Sequence, residues 1–173
     1  MLFRSVTTST EMVFTINEAV PQDRESSGLE IEMGAGKLNI SDGADGWVSG
    51  EVKYNVSLWD PEIFRTNNGI RISQTIKNQI GIPNNKVINA WNIQLGNHPT
   101  DLEINAGAYQ GNLNLSGIPL TKLKISDGAS QGNIRFDTLN PVEMSLFQYS
   151  SGASEIEIYG LANANSEIGR AHV

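Results

Sequence analysis

The chain has 173 residues, no cysteine, 17 glycines and a formal net charge of −7, from 12 basic and 19 acidic side chains. That length suits one domain with a real hydrophobic core, and the lack of cysteine excludes disulfides, thiolate nucleophiles and thiolate metal sites. The acidic excess argues against a nucleic-acid or anionic-membrane binder, and no apolar run approaches the roughly 20 residues that span a bilayer.

The two ends read differently from the rest. Met1-Leu2-Phe3-Arg4-Ser5 and Ile168-Gly169-Arg170-Ala171-His172-Val173 are what a common short-read sequencing adapter encodes when translated from its two strands, and Glu167 fits the same frame. Residues 1–5 and 167–173 are therefore expected to be adapter artefact around authentic residues 6–166. On that expectation neither a signal peptide nor a membrane tether can be judged from this chain, and His98 is its one genuine histidine.

From residue 12 onward the pattern is alternation with period two, the mark of half-buried strands. Met12/Phe14/Ile16 predicts a first strand, placed as a cap on one end of the fold. Leu29-Glu30-Ile31-Glu32-Met33-Gly34-Ala35 alternates into a Gly-Ala corner, and Leu38-Asn39-Ile40-Ser41 follows. Further alternation comes at Val52/Tyr54/Val56, Ile70/Ile72 and Trp91/Ile93/Leu95. Leu58-Trp59-Asp60-Pro61-Glu62 breaks the pattern, since Pro61 lacks a backbone donor. The Asn-rich stretch from Lys77 to Asn89 predicts a loop, and Gly96-Asn97-His98-Pro99 a turn.

The second half repeats. Leu102, Leu123 and Met144 are spaced by 21, and each opens an apolar alternation: Leu102/Ile104, Leu123/Ile125 and Met144/Leu146. Gly107-Ala108, Gly128-Ala129 and Gly152-Ala153 follow as corners. The next apolar runs are Leu113/Leu115, Ile134/Phe136 and Ile156/Ile158. The third copy has three more residues before its corner and two fewer after it. The first copy matches this grammar, with Leu29 standing for Leu102 and Leu38 for Leu113. Residues 6–98 thus read as an irregular N-terminal half and residues 99–166 as regular repeats.

A coil of about 21 residues cannot bury its inward side chains alone, whereas stacked coils give continuous internal ladders. The expected fold is an all-β parallel solenoid (β-helix) of about six short turns, with Leu102, Leu123 and Met144 aligned vertically. An antiparallel sandwich also predicts short alternating strands, but hairpins have no reason to restart in the same phase.

Asp101-Leu102-Glu103-Ile104, the Gly-Ala corners, Leu113-Asn114-Leu115-Ser116-Gly117-Ile118-Pro119-Leu120 and Leu139-Asn140-Pro141-Val142 resemble bacterial toast-rack domains. Gly160-Leu161-Ala162-Asn163-Ala164-Asn165, Gly34-Ala35-Gly36-Lys37-Leu38, Trp59-Asp60-Pro61, Gln74 and Trp91-Asn92-Ile93-Gln94-Leu95 extend the likeness across most of residues 10–165. The family is similar to adhesin-type solenoids and to the C-terminal domain of LiaF-like cell-envelope stress proteins. The resemblance implies a right-handed, single-stranded β-solenoid, exported or tethered to the bacterial envelope, and carries over no catalytic residue.

Constellations that could hold chemistry read more simply as structure. Ser41-Asp42-Gly43-Ala44 and Ser126-Asp127-Gly128-Ala129 could present calcium ligands, but they follow different strands and would not stack, so turn chemistry is expected. Glu30/Glu32, Glu103 and Glu155/Glu157 alternate with apolar residues and should face outward as solvated charge rather than flank a glycosidic bond. His98, in a turn without a second ligand, is expected to be exposed. No Gly-x-Ser-x-Gly elbow is present, and no helix pattern follows Gly34-Ala35-Gly36-Lys37 to make a phosphate loop. Trp47 and Trp91 are expected in the core, leaving Trp59 and Tyr109 as candidate surface contacts. The expected function is a non-enzymatic, exported or envelope-associated interaction scaffold with no cofactor, no metal and no nucleic-acid partner. Its partner would be protein or glycan, and end-to-end self-association is possible at the end near Ile156–Tyr159. The alternatives are a carbohydrate-binding or carbohydrate-active β-helix, and a ligand-sensing regulatory domain of a cell-envelope stress system.

Overall fold

The computed structural model describes residues 7–74 and 86–166. The adapter-like strings at 1–5 and 167–173, and residues 77–85 of the expected Asn-rich loop, lie outside the described residues.

Among the described residues the alternating runs form nine strands: β1 (Met12–Glu18), β2 (Ser27–Asp42), β3 (Val48–Tyr54), β4 (Pro61–Thr66), β5 (Gly69–Gln74), β6 (Asn89–Leu95), β7 (Thr100–Asn114), β8 (Leu120–Arg135) and β9 (Leu146–Tyr159). All nine belong to one sheet, and the described helical content is two short 3-10 turns, Ser57–Trp59 and Leu161–Ala164. The chain is all-β, as its periodicity predicts.

The sheet has two regimes. β2, β7, β8 and β9 pair in parallel over most of their lengths. β5 and β6 share the other edge of β2, with Leu29 opposite Ile70 and Ile40 opposite Ile93, both in parallel. The remaining pairs, β1 with β3, β3 with β6 and β4 with β5, are antiparallel. This corrects the expectation of parallel strands throughout. The two residues Asn67-Asn68 between β4 and β5 can close only a hairpin, because a parallel return needs a crossover of about a dozen residues. Sequence reading missed β4, having stopped the pattern at Pro61. That proline is the first residue of β4, where a missing donor is tolerated. β1 is the terminal strand at one end of the sheet, the place expected of it.

Each long strand crosses a Gly-Ala corner. In β7 the buried positions are even before the corner (Leu102, Ile104) and odd after it (Tyr109, Gly111, Leu113), so the inward face changes parity there. Backbone crowding explains the glycines: a Cβ on Gly128 would lie 2.6 Å from the Gly107 carbonyl oxygen, and one on Gly152 2.8 Å from that of Gly128.

The register gives the ladders. Leu29, Leu102 and Leu123 align, as do Ile31, Ile104 and Ile125. Met144 does not extend the first of these. Leu123 faces Phe147 and Ile134 faces Ile158, so β9 is offset from β8 by 24 residues on both sides of its corner rather than by 21. The extra residues are absorbed in the connection 136–145, where Met144 is buried and bridges Ser166. The first copy keeps a single offset of 73 residues from β7 on both sides of its corner, so Leu38 lies opposite Gly111 and Ile40, rather than Leu38, opposite Leu113.

The core runs as one continuous cluster from Ile16 through Trp47, Trp91 and the Leu/Ile ladders to Phe136 and Met144. Burying each ladder isoleucine or leucine contributes roughly 1.5–3 kcal/mol.

His98 is a second correction: it is 4% exposed. Its Nε2 lies 3.1 Å from Ser27 Oγ, and its ring meets Trp47 edge-on at 5.9 Å. Trp47 Nε1 donates to Thr100 Oγ1, which in turn donates to the His98 carbonyl. The turn folds inward because Trp47 supplies an apolar wall that nothing near His98 in sequence announces. Burial lowers the His98 pKa below its ordinary value of 6.5. The unfolded chain then binds more protons than the folded one as pH falls below about 6.5, so this contribution to stability is complete above that pH and drains away below it. Urea denaturation from pH 7.5 to 5 should show wild type losing stability relative to His98→Gln, while parallel profiles would remove His98 as the cause.

Candidate functional site

Outward-facing side chains form two polar faces, one on each side of the Gly-Ala corners. On the first, the register sets Arg71, Glu30, Glu103, Lys124 and Gln148 in one row across five strands. Lys124 Nζ donates to Glu103 Oε1 at 2.8 Å, and Lys122 Nζ to Asp101 Oδ2 at 2.7 Å. Asn105 Nδ2 lies between two carboxylates, 3.2 Å from Glu30 Oε1 and 3.3 Å from Glu103 Oε1. The neighbouring acids take opposite directions. Desolvation, reinforced by Glu32 and Glu103, raises the Glu30 pKa, whereas the Lys124 hydrogen bond lowers that of Glu103. Two neighbouring carboxyls whose pKa values are pushed apart are the raw material of acid–base chemistry. These two sit side by side on neighbouring strands of a half-exposed face rather than across a cleft.

Beside this row, an open groove of about 800 Å³ runs along the corners, bordered by Phe64, Arg71, Ser73, Gln74, Asn105 and Asp127. The Arg71 guanidinium stacks over the Phe64 ring at 5.1 Å. Asp127 is a further correction: it lies buried within β8 and accepts hydrogen bonds from Tyr149 Oη (3.1 Å) and Ser151 Oγ, instead of capping a turn. Tyr149 Oη also lies 2.7 Å from Ser130 Oγ.

The second face was not anticipated. The register aligns Glu51, Asn92, Asn39, Asn112, Asn133 and Glu157 across six strands, four carboxamides between two carboxylates. Asn39 Nδ2 donates to Asn92 Oδ1 at 2.8 Å, and Asn133 Nδ2 to Asn112 Oδ1 at 2.7 Å. Such amide ladders arise when like residues stack at about 4.8 Å. Lys37, Gln110, Gln131 and Glu155 run parallel to it. The repeated Asn at 112 and 133 was the available signal, with the expected match of Leu38 to Leu113 hiding Asn39, which pairs with Asn112.

The two candidate surface residues lie inside the protein and in different places. Trp59 packs with Val56 in a small satellite cluster, while Tyr109 belongs to the main core; their exposures are 6% and 5%. Tyr109 turns inward because Gly111 leaves room for its ring, 2.5 Å from where a Cβ would stand. Burial raises its phenol above the usual range, with Tyr149 and Asp127 adding to the effect. Trp47 and Trp91 lie in the core as expected, and Glu155 and Glu157 are exposed. Among the described residues no group of three His, Cys, Asp or Glu is placed to hold a metal ion, and no helix is long and apolar enough to cross a membrane.

Stacked polar ladders on one large sheet, with an open groove at the corners, define a repeat-built all-β domain. The chain belongs to the family described as the N-terminal domain of toast_rack, DUF2154, whose profile matches residues 5–159. In fold it is similar to a candidate cell adhesion protein from Clostridium sporogenes, with a TM-score of 0.66 and 22% identity over 87% of this chain and 72% of that one. Candidate adhesins from Parabacteroides distasonis and Parabacteroides merdae are more distant. Their TM-scores are 0.39 and 0.37 at 10% and 11% identity, over 87% and 90% of this chain and 66% and 69% of theirs. No curated protein matches the chain.

Proposed function

We propose that the chain is a non-enzymatic interaction domain of adhesin type, working at the cell envelope or after secretion, with the carboxamide face as its contact surface. The observation that carries this reading is the uninterrupted Asn92–Asn39–Asn112–Asn133 row. Uncharged amides each offer donors and acceptors at strand spacing, which suits repeated polar contacts along an extended glycan or protein segment. The fold shared with the Clostridium sporogenes protein supports an adhesive role by analogy only. We further infer that the parallel block winds as a right-handed solenoid, the hand that parallel crossovers take almost without exception. Five parallel layers (β5 with β6, β2, β7, β8, β9) and one antiparallel layer of β3 and β4 make about six turns.

Immobilised protein screened against a glycan array and a panel of envelope proteins tests this. Specific retention should fall about tenfold or more in Asn112→Ala/Asn133→Ala, as expected from losing two polar contacts worth about 1 kcal/mol each. Retention unchanged in that variant would sink the amide face. Glycan hydrolysis abolished by Glu103→Gln would favour a carbohydrate-active enzyme using the Glu30–Glu103 pair instead.

A further inference from the structure

We propose that the outer edge of β9 is the seat of one further parallel strand, joined at Ser166, that closes the ladders which β9 leaves half-covered. β9 is the terminal strand of the sheet at the end opposite β1. Its inward residues repeat those of β8 but are not buried like them. Ile134 is fully buried, whereas its partner Ile158 is 38% exposed; Leu123 and Ile125 are fully buried, whereas Phe147 and Tyr149 are half-buried. Leu146, Tyr159 and Leu161 are also exposed at this end. An edge of this length with an apolar inner row is a template for another strand.

The path of the chain says which strand. The segments that connect β7 to β8 and β8 to β9 are hydrogen-bonded onto a neighbouring layer. Leu115 N donates to the Arg135 carbonyl, and Ser145 N to that of Thr121. The segment after β9 repeats this: Phe136 N donates to Tyr159 O, Asn140 N to Asn163 O and Met144 N to Asn165 O. Met144 and Ser166 then pair in parallel, an offset of 22 residues that falls between the 21 of β7 to β8 and the 24 of β8 to β9. The connecting side of another coil is therefore already laid against 136–144, with Ser166 aimed along β9. The strand that seats there has the 14 residues of β9 to pair with. Its chemistry follows from β9: apolar opposite Phe147, Tyr149 and Ile158, small opposite Ala153, and cationic or amide opposite Glu155 and Glu157.

The test appends a second copy of residues 121–144 directly after Ser166. In the register set by Met144 and Ser166, the appended Leu123, Ile134 and Asn133 face Phe147, Ile158 and Glu157. Amide hydrogen exchange across Leu146–Tyr159 should slow about tenfold or more relative to the unextended chain, with β7 and β8 unchanged. A synthetic peptide of residues 121–144, offered in trans to the unextended chain, should protect the same amides on saturation. Unchanged β9 exchange with both the extension and the peptide would overturn the proposal. Protection of β9 in the unextended chain that rises with its own concentration would also overturn it, assigning the edge to a second copy.

Discussion

Gly132→Ala should be among the most damaging single substitutions in the protein. Gly132 has φ +146°, and a Cβ there would stand 1.8 Å from the Gly111 carbonyl oxygen in the adjacent strand. No rotamer relieves a clash with backbone, so β7 and β8 must separate just beyond the corner, where Tyr109 and Ser130 are both buried. Strain at a disfavoured φ and loss of ladder pairing together should cost about 3 kcal/mol or more, lowering Tm by roughly 6–12 °C for a chain of this size. Gly28→Ala is the control: its Cβ would lie 3.5 Å from the Asn68 carbonyl oxygen, an ordinary contact. It should shift stability by less than about 1 kcal/mol. Equal melting temperatures for the two variants would show that the backbones do not approach as described.

Trp91→Ala should be of similar size, for a different reason. Trp91 is fully buried between Leu38 and Val52 on the neighbouring strands. Its Nε1 donates to Asn89 Oδ1 at 3.0 Å. Asn89 in turn donates to the Ala35 carbonyl and Gln74 Oε1, and Gln74 Nε2 donates to the Trp59 carbonyl. This network ties β2, β5 and β6 together where two strands share one edge of β2. Truncation removes the largest side chain of that region and should cost about 3–5 kcal/mol in urea denaturation. Trp91→Phe keeps most of the apolar contact and loses one hydrogen bond, so about 1–2 kcal/mol is expected. A Trp91→Ala cost below that of Trp91→Phe would mean that packing at this junction is not what stabilises it.

How much of this was readable in the residues follows from where the pattern is local. Leu102/Ile104 against Leu123/Ile125, and Leu29/Ile31 against Leu102/Ile104, were visible because each pair lies on the same side of its corner with no insertion between. Met144 was misaligned because its spacing of 21 from Leu123 coincides with the true repeat while the strand itself begins two residues later. Trp59, Tyr109, His98 and Asp127 were misplaced for a common reason. Their burial depends on partners distant in sequence (Val87 for Trp59, Trp47 for His98, Tyr149 for Asp127) or on room left by a glycine, such as Gly111 beneath Tyr109, and alternation carries no record of either. The antiparallel N-terminal region was hidden because period two is the same for both strand directions; only the two-residue Asn67-Asn68 link gave direction away.

The charged row and the amide row were half-legible. Outward Glu30, Glu103 and Lys124 could be assigned to a surface from alternation alone, but the opposite shifts of Glu30 and Glu103 require knowing that their strands are adjacent. The Asn ladder needs registers from four strands at once.

Cross-strand nuclear Overhauser contacts across β7, β8 and β9 test the stacked register most directly. The pairing described here predicts parallel-type contacts joining Leu102 to Leu123 and Leu123 to Phe147, with Ile134 joined to Ile158. Contacts joining Leu123 to Met144, or an antiparallel pattern between β8 and β9, would contradict it.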